Sequence, residues 1–274
     1  MAELLETARR AARAGAEVLR RSFRDERLLI ETKARNDFVT SADRASEAAV
    51  VAEIVKRHPG HRILAEEGSS NPAADDVLEW VIDPLDGTTN FLQGLPVFAV
   101  SVACRRGHEV LAGVVIDPLR GDEFAAERGA GAYLGDRRLA ASPRPGLDGA
   151  FLATGYPFRA QAALDLYLAV FRRVFLRARA IRRCGAAALD LANCAAGVYD
   201  GFFEFRLSPW DIAAGALLLT EAGGAISDLG GGERHWSGGN VLAGGAAVHR
   251  ALVTEVGPLA SEEELDRLVP IGAG

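Results

Sequence analysis

The chain of 274 residues has little sulfur, few lysines and no long apolar run. Three cysteines, Cys104, Cys184 and Cys194, form no CxxC pair and are too few for a disulfide framework, so a reducing cytoplasm is the expected compartment. No stretch reaches the roughly 18 consecutive apolar residues that a membrane span needs. The first segment, MAELLETARRAARAGAEVLRRSF, carries Glu3 and Glu6 where a signal peptide is basic, and no apolar core follows. No membrane partner is expected. Excess positive charge is missing too: a net charge of −6 and a pI near 5.5 speak against nucleic acid as a partner. The same balance makes an anionic substrate a puzzle unless something local reverses the sign. Among 31 basic residues only Lys33 and Lys56 are lysine, an imbalance that genomic base composition explains, with ion pairing at high temperature as the other reading. Repeats and low-complexity tracts are absent. What is present, 49% hydrophobic and 25% charged residues, is an ordinary globular composition able to bury a full core.

Leu4, Leu5, Ala8, Ala11, Ala12, Gly15, Val18, Leu19 and Phe23 fall on one helical stripe with arginines opposite. A membrane-surface helix shares that pattern, but a stripe so rich in alanine suits packing on a core. A second helix is predicted over 42–57, stopped by His58-Pro59-Gly60. Strands are predicted at 62–65 and 79–83, then at 97–104, 109–117 and 123–126 as an antiparallel set, with 129–134 as a further one. The segment SPRPGLDG, Ser142–Gly149, is the boundary candidate. It divides an N-terminal α+β half, 1–145, from a C-terminal α/β half, 146–274. In the latter, helices over 160–176, 186–196 and 212–222 alternate with strands near 201–204 and 225–228.

The segment WVIDPLDGTTNF, Trp80–Phe91, concentrates the chemistry. An apolar strand should end at Asp83, stopped by Pro84, and Asp86 adds a second carboxylate three residues on. Paired carboxylates at a strand end are hard oxygen donors suited to Mg²⁺. Gly87 lets a ligand approach the backbone, and amides at Gly87 and Thr88 suit a phosphate. Taken alone, Asp-Pro and Asp-Gly are ordinary turn chemistry. Three further segments bring carboxylates: Glu66-Glu67 after a short strand, Asp43 at a helix start and Asp211 at another. Thr40…Asp43 and Ser208…Asp211 both have the capping-box spacing, with Pro209 suited to a first helical position. Taken singly, capping accounts for each.

Taken together, these segments resemble the inositol monophosphatase family, in the superfamily of Mg²⁺-dependent, lithium-sensitive phosphatases that includes fructose-1,6-bisphosphatase. The resemblance runs through KARNDFVTSAD (Lys33–Asp43), ILAEEG (Ile63–Gly68), WVIDPLDGTTNF and LPVFAVSVA (Leu95–Ala103). It continues through CGAAALDL (Cys184–Leu191), YDGFFE (Tyr199–Glu204) and SPWDIAAG (Ser208–Gly215). It implies a layered αβαβα sandwich of the sugar-phosphatase type, with an antiparallel sheet in the N-terminal half, and a homodimer. It further implies two or three Mg²⁺ per chain, held by Glu66, Asp83, the carbonyl of Leu85, Asp86 and Asp211. Asp43, Glu66 and Thr88 match catalytic positions, the first and last orienting and deprotonating the attacking water. Asp86, Gly87, Thr88, Gly185, Ala186, Ala187 and Glu204 match substrate contacts, and Lys33 a loop that closes near the metals.

The implied reaction is hydrolysis of a phosphate monoester of a small polyol, with inositol 1-phosphate the first expectation. Fructose 1,6-bisphosphate and other sugar, nucleotide or histidinol phosphates remain alternatives on the same core, and Arg159 is a candidate near a second phosphate. Some relatives in this family act as RNA-associated regulators, an alternative that the acidic balance disfavours. The five histidines, His58, His61, His108, His235 and His249, show no ligand spacing and are expected on the surface or in loops. No reactive thiol is expected at Cys184, and Trp210 is expected to pack beside Asp211. The charge puzzle eases, because four of the negative charges belong to the implied metal ligands.

Overall fold

The computed structural model describes residues 2–25, 27–34, 37–71, 78–158 and 160–268. Helix α1 (Ala2–Ser22) forms where the alanine stripe lies: Ala8, Ala11, Ala12 and Leu19 are buried, while Arg10, Arg13 and Arg20 are exposed. A hairpin of β1 (Ile30–Ala34) and β2 (Asp37–Thr40) leads into α2 (Ser41–Arg57). Then come β3 (Arg62–Ala65), β4 (Ser70–Asn71), β5 (Glu79–Asp86) and a short helix, α3 (Thr88–Leu92). A meander follows: β6 (Ala99–Arg106), β7 (Glu109–Asp117), β8 (Asp122–Glu127), β9 (Gly131–Leu134) and β10 (Arg137–Arg138). These build one sheet ordered β10-β9-β8-β7-β6-β5-β3-β4, antiparallel except that β3 runs parallel to β5.

Pro84 does not stop β5. The strand continues to Asp86, and its register with β6 shifts between Asp83 and Asp86. A bulge needs no ladder N–H from the proline, so the chain absorbs it and re-aims the carboxylates on either side.

The second half contributes β11 (Phe151–Thr154), a 3₁₀ turn at Gln161–Ala163, α4 (Leu164–Phe175), β12 (Ala180–Arg182) and α5 (Ala187–Ala195). It continues with β13 (Gly201–Glu204), α6 (Pro209–Glu221), β14 (Gly224–Ser227), α7 (His235–Gly238), β15 (Val241–Gly245), α8 (Ala246–Val256) and α9 (Glu262–Leu268). The sheet order is β12-β11-β13-β15-β14, with β11 parallel to β12 and β13 and the other pairs antiparallel. The helix expected over 160–176 is thus a 3₁₀ turn followed by a shorter α-helix.

Five layers result. Helices α1 and α2 cover one face of the large sheet, α5 and α6 lie between the sheets, and α4 and α8 cover the far face of the small sheet. A separate apolar core fills each region. Leu19, Val50 and Trp80 belong to the first, Leu191, Ile212 and Ala243 to the middle one, and Tyr167, Leu152 and Leu252 to the outer one. Truncating a fully buried leucine such as Leu191 to alanine is expected to cost about 2–5 kcal/mol. His235 departs from the surface expectation: it is buried on α7, where its ring lies 4.8 Å from that of Trp236. His58 and His61 stack 4.5 Å apart at the start of β5, where Trp80 Nε1 donates to His61 Nδ1.

Candidate active site

The bulge at the end of β5 places Asp83 and Asp86 in a cleft between the two halves, and both are buried. Local amides fix each one. The N–H of Leu85 donates to Asp83 Oδ1 (2.9 Å). The N–H groups of Ala187 and Ala188, in the first turn of α5, donate to Asp86 Oδ1 (3.1 Å) and Oδ2 (2.8 Å). Asp211 enters from the first turn of α6, where Ser208 N–H donates to its Oδ2 (2.7 Å). The three carboxylates approach until one oxygen of each lies within 4.8 Å of the others.

Glu66 follows β3 directly. Its N–H reaches Ile82 carbonyl (3.2 Å), extending the β3–β5 ladder so that Glu66 and the Leu85 residue line the same cleft. Glu47 of α2 ties down the loop beyond, accepting from the N–H groups of Glu67 (2.8 Å) and Ser69 (3.0 Å).

Burial pushes Asp83 well above the usual carboxylate range, with the charges of Glu66, Asp86 and Asp211 adding to the effect. Asp86 is pushed up to about 7 by burial and then by Asp211, against the pull of the α5 amides. Carboxylates so placed cannot all ionise without a cation. The donor set, all hard oxygen, fits a divalent ion such as Mg²⁺.

Asp43 and Thr88 meet beside this cluster. Thr40 caps α2 in a complete capping box: its hydroxyl accepts from Ala42 N–H, while its own N–H (2.9 Å) and O–H (2.5 Å) donate to Asp43 Oδ2. Asp43 Oδ1 is left facing Thr88, whose hydroxyl shares one proton between it (3.2 Å) and the Leu85 carbonyl (3.1 Å). Burial raises the proton affinity of Asp43, and the donors from Thr40 and Thr88 counter it. Asp211 is divided likewise, one oxygen serving the cap. Capping and the site are therefore not alternatives at either helix, because each carboxylate has two oxygens.

On the other side of the cleft, Gly87 opens α3 at φ 92°, and a Cβ there would lie 3.0 Å from Val97 carbonyl and 3.2 Å from Gly185 carbonyl. Gly185, Ala187 and Glu204 line the cleft, whose volume is about 170 Å³. Glu204 lies against the bare Cα of Gly155: any side chain there would place its Cβ 1.8 Å from Glu204 Oε1. Burial raises Glu204 well above its usual range. Ala186 is buried and does not line the cleft, and Ala187 also serves to hold Asp86. Lys33 lies on β1, but its side chain and all of Arg159 are outside the described residues.

Glu47 and two further residues here were not singled out from sequence. Asn90 Nδ2 donates to the carbonyls of Val97 (2.8 Å) and Cys184 (2.9 Å), joining α3 to the 184–185 loop across the halves. Its place within DGTTNF was the available signal. Arg183 lines the cleft, with nothing but adjacency to CGAAALDL to mark it.

The profile of the Inositol monophosphatase family matches residues 1–260. The chain is 48% identical over 265 residues to the Nus factor SuhB of Pseudomonas aeruginosa, covering 94% of this chain and 97% of that protein. It is 42% identical over 246 residues to an inositol-1-monophosphatase of Mesorhizobium japonicum, covering 90% and 92%. The crystal structure of the extragenic suppressor protein SuhB from Bartonella henselae superposes with a TM-score of 0.89 at 38% identity, covering 93% of this chain and 98% of that one.

Proposed function

The chain belongs to the inositol monophosphatase family, and from that premise we propose that it hydrolyses phosphate monoesters of small polyols with the help of divalent metal. The observation that carries this reading is the convergence of Asp83, Asp86 and Asp211 beside the Asp43–Thr88 pair. Asp83, Asp86, Asp211, Glu66 and the Leu85 carbonyl would hold Mg²⁺. When bound, the metal supplies charge neutralisation of the phosphoryl group and a lowered pKa for water. The chain's own part is positional. Asp43, whose ionised form the donors from Thr40 and Thr88 favour against the effect of burial, accepts through the Thr88 hydroxyl the proton that an attacking water gives up. Gly87 brings the first N–H groups of α3, which no side chain caps, toward the phosphate. Glu204 offers acceptor oxygens to hydroxyls of the alcohol.

Inositol 1-phosphate is the first ester to test, because one relative is named an inositol-1-monophosphatase. The test is phosphate release with Mg²⁺ from inositol 1-phosphate, fructose 1,6-bisphosphate, histidinol phosphate, NADP and 3′-phosphoadenosine 5′-phosphate. Turnover of one or more, lost in Asp83→Asn without loss of fold, is expected, and activity that survives the substitution would sink the metal assignment.

A second reading rests on the 48% identical relative named Nus factor SuhB. On that reading the chain also acts as a Nus factor, and the acidic balance weighs less than it did on sequence alone. A transcription assay with and without the protein tests it, and Asp83→Asn separates the two roles if the effect persists. A homodimer accords with Leu164, Leu168 and Phe175, which lie exposed along one side of α4. Sedimentation would show the mass. The unpaired state of Cys104, Cys184 and Cys194 accords with a reducing compartment, and no helix among the described residues is long and apolar enough to cross a membrane.

A further inference from the structure

Among the described residues two arginines line the cleft, and they are committed differently. Arg206 is tied up: its Nη1 donates to Gly238 carbonyl (3.1 Å) and its Nη2 to Asp266 (2.9 Å) on α9. Arg183 is exposed, and among the described residues its guanidinium takes no hydrogen bond or ion pair. What it touches is aromatic. Its guanidinium carbon lies 5.3 Å from the ring centroids of both Tyr156 and Phe158, which also line the cleft. The group folds back over Gly185, whose missing Cβ would lie within 2.4 Å of it. The two rings lie at 79° to each other, so the guanidinium sits in the corner they form, and among the described residues its N–H edge is left unused.

The position of this fork matters. It lies on the alcohol side of the cleft, close enough to Glu204 and Asp190 for its charge to favour their ionised forms. A neutral polyol offers this fork hydroxyl lone pairs only, and gains no charge-assisted bond from it. A planar five-donor fork matches a phosphate or carboxylate, which it can bind through two parallel hydrogen bonds.

We propose that Arg183 is a specificity-determining residue, and that the preferred substrate is a phosphate monoester whose alcohol carries a second anionic group. This rests on the phosphatase reading above. The phosphate at the carboxylate cluster is the one cleaved, and the second anion is held by Arg183 between Tyr156 and Phe158. Phosphate and carboxylate satisfy the same chemistry, and matched substrate pairs distinguish them.

The experiment compares kcat/KM with Mg²⁺ for fructose 1,6-bisphosphate against fructose 1-phosphate, and for glucuronic acid 1-phosphate against glucose 1-phosphate. Each pair differs by one anion and shares the scissile ester. In at least one pair the ester that carries the second anionic group is expected to lead by about tenfold or more, as one charge-assisted contact allows. Arg183→Ala should bring that ratio close to one, and Arg183→Lys should keep part of it. Using the ratio cancels any general disturbance of Glu204. A wild-type ratio near one in both pairs, or a ratio that survives Arg183→Ala, overturns the inference while leaving the phosphatase reading standing. Hydrolysis of inositol 1-phosphate with no turnover of the four esters likewise overturns the inference alone, and no turnover of any of them, inositol 1-phosphate included, overturns both.

Discussion

Helices α2 and α6 begin in the same way. Each starts from a hydroxyl residue, Thr40 or Ser208, and each has an aspartate three residues later that closes a capping box. What differs is the partner of the second oxygen. That of Asp43 meets the Thr88 hydroxyl, whereas Asp211 joins Asp83 and Asp86. The cap thus works as a jig: satisfying orphan amides of the helix start also aims one oxygen of a short, stiff side chain into the cleft. One local motif supplies a proton-handling group in one place and a metal ligand in the other, and the surroundings decide which.

Substitutions can separate the two. The largest effect is expected for Asp211→Asn, which should abolish phosphatase activity together with the Mg²⁺ binding heat seen by calorimetry. Asp43→Asn should keep that heat and lower kcat by roughly 10²–10⁴-fold, the range of a lost general base. Loss of Mg²⁺ binding in both variants would mean that the two aspartates serve one function.

Titration provides a subtler contrast. Burial holds the proton affinity of Asp86 near 7 in the folded, metal-free chain, far above an unfolded carboxylate. The folded state therefore binds more protons than the unfolded one between about pH 4 and 7, so metal-free stability should fall as pH rises through that window. Melting curves across it should show the decline, and saturating Mg²⁺ should abolish it. Asp43 is raised as well, so the acid limb of kcat should lie above the ordinary carboxylate range, and Thr88→Val should move it higher by removing a donor. The smallest effects belong to the caps: Thr40→Val and Ser208→Ala should each cost about 1 kcal/mol in chemical denaturation. If only stability changes and Mg²⁺ affinity holds in Ser208→Ala, the cap does not aim Asp211.

Where the sequence was readable, local rules governed. The α1 stripe, the α2 and α6 starts and the β6–β8 meander follow from periodicity, capping and turns, and all lie within a few residues of where they were expected. The carboxylates of WVIDPLDGTTNF could be grouped because spacing and residue type announce them. The continuation of β5 through Pro84 escaped, since a bulge depends on the neighbouring strand. So did the burial of His235 and the roles of Asn90 and Glu47, whose partners come from distant segments. Ala187 shows what resemblance alone leaves out: it lines the cleft, and its amide also holds Asp86, a contact that only the folded chain brings about.

That engagement also has a consequence in time. The amides that hold Asp86 belong to residues 101 and 102 positions further along the chain. On a ribosome adding about 5–20 residues per second, the aspartate waits on the order of 5–20 s for the helix that will orient it. Until α5 and then α6 emerge, the large sheet has one face uncovered and the carboxylates remain in water. The nascent N-terminal half should therefore neither concentrate Mg²⁺ at one place nor turn over substrate, and competence should appear only after Asp211 has left the exit tunnel.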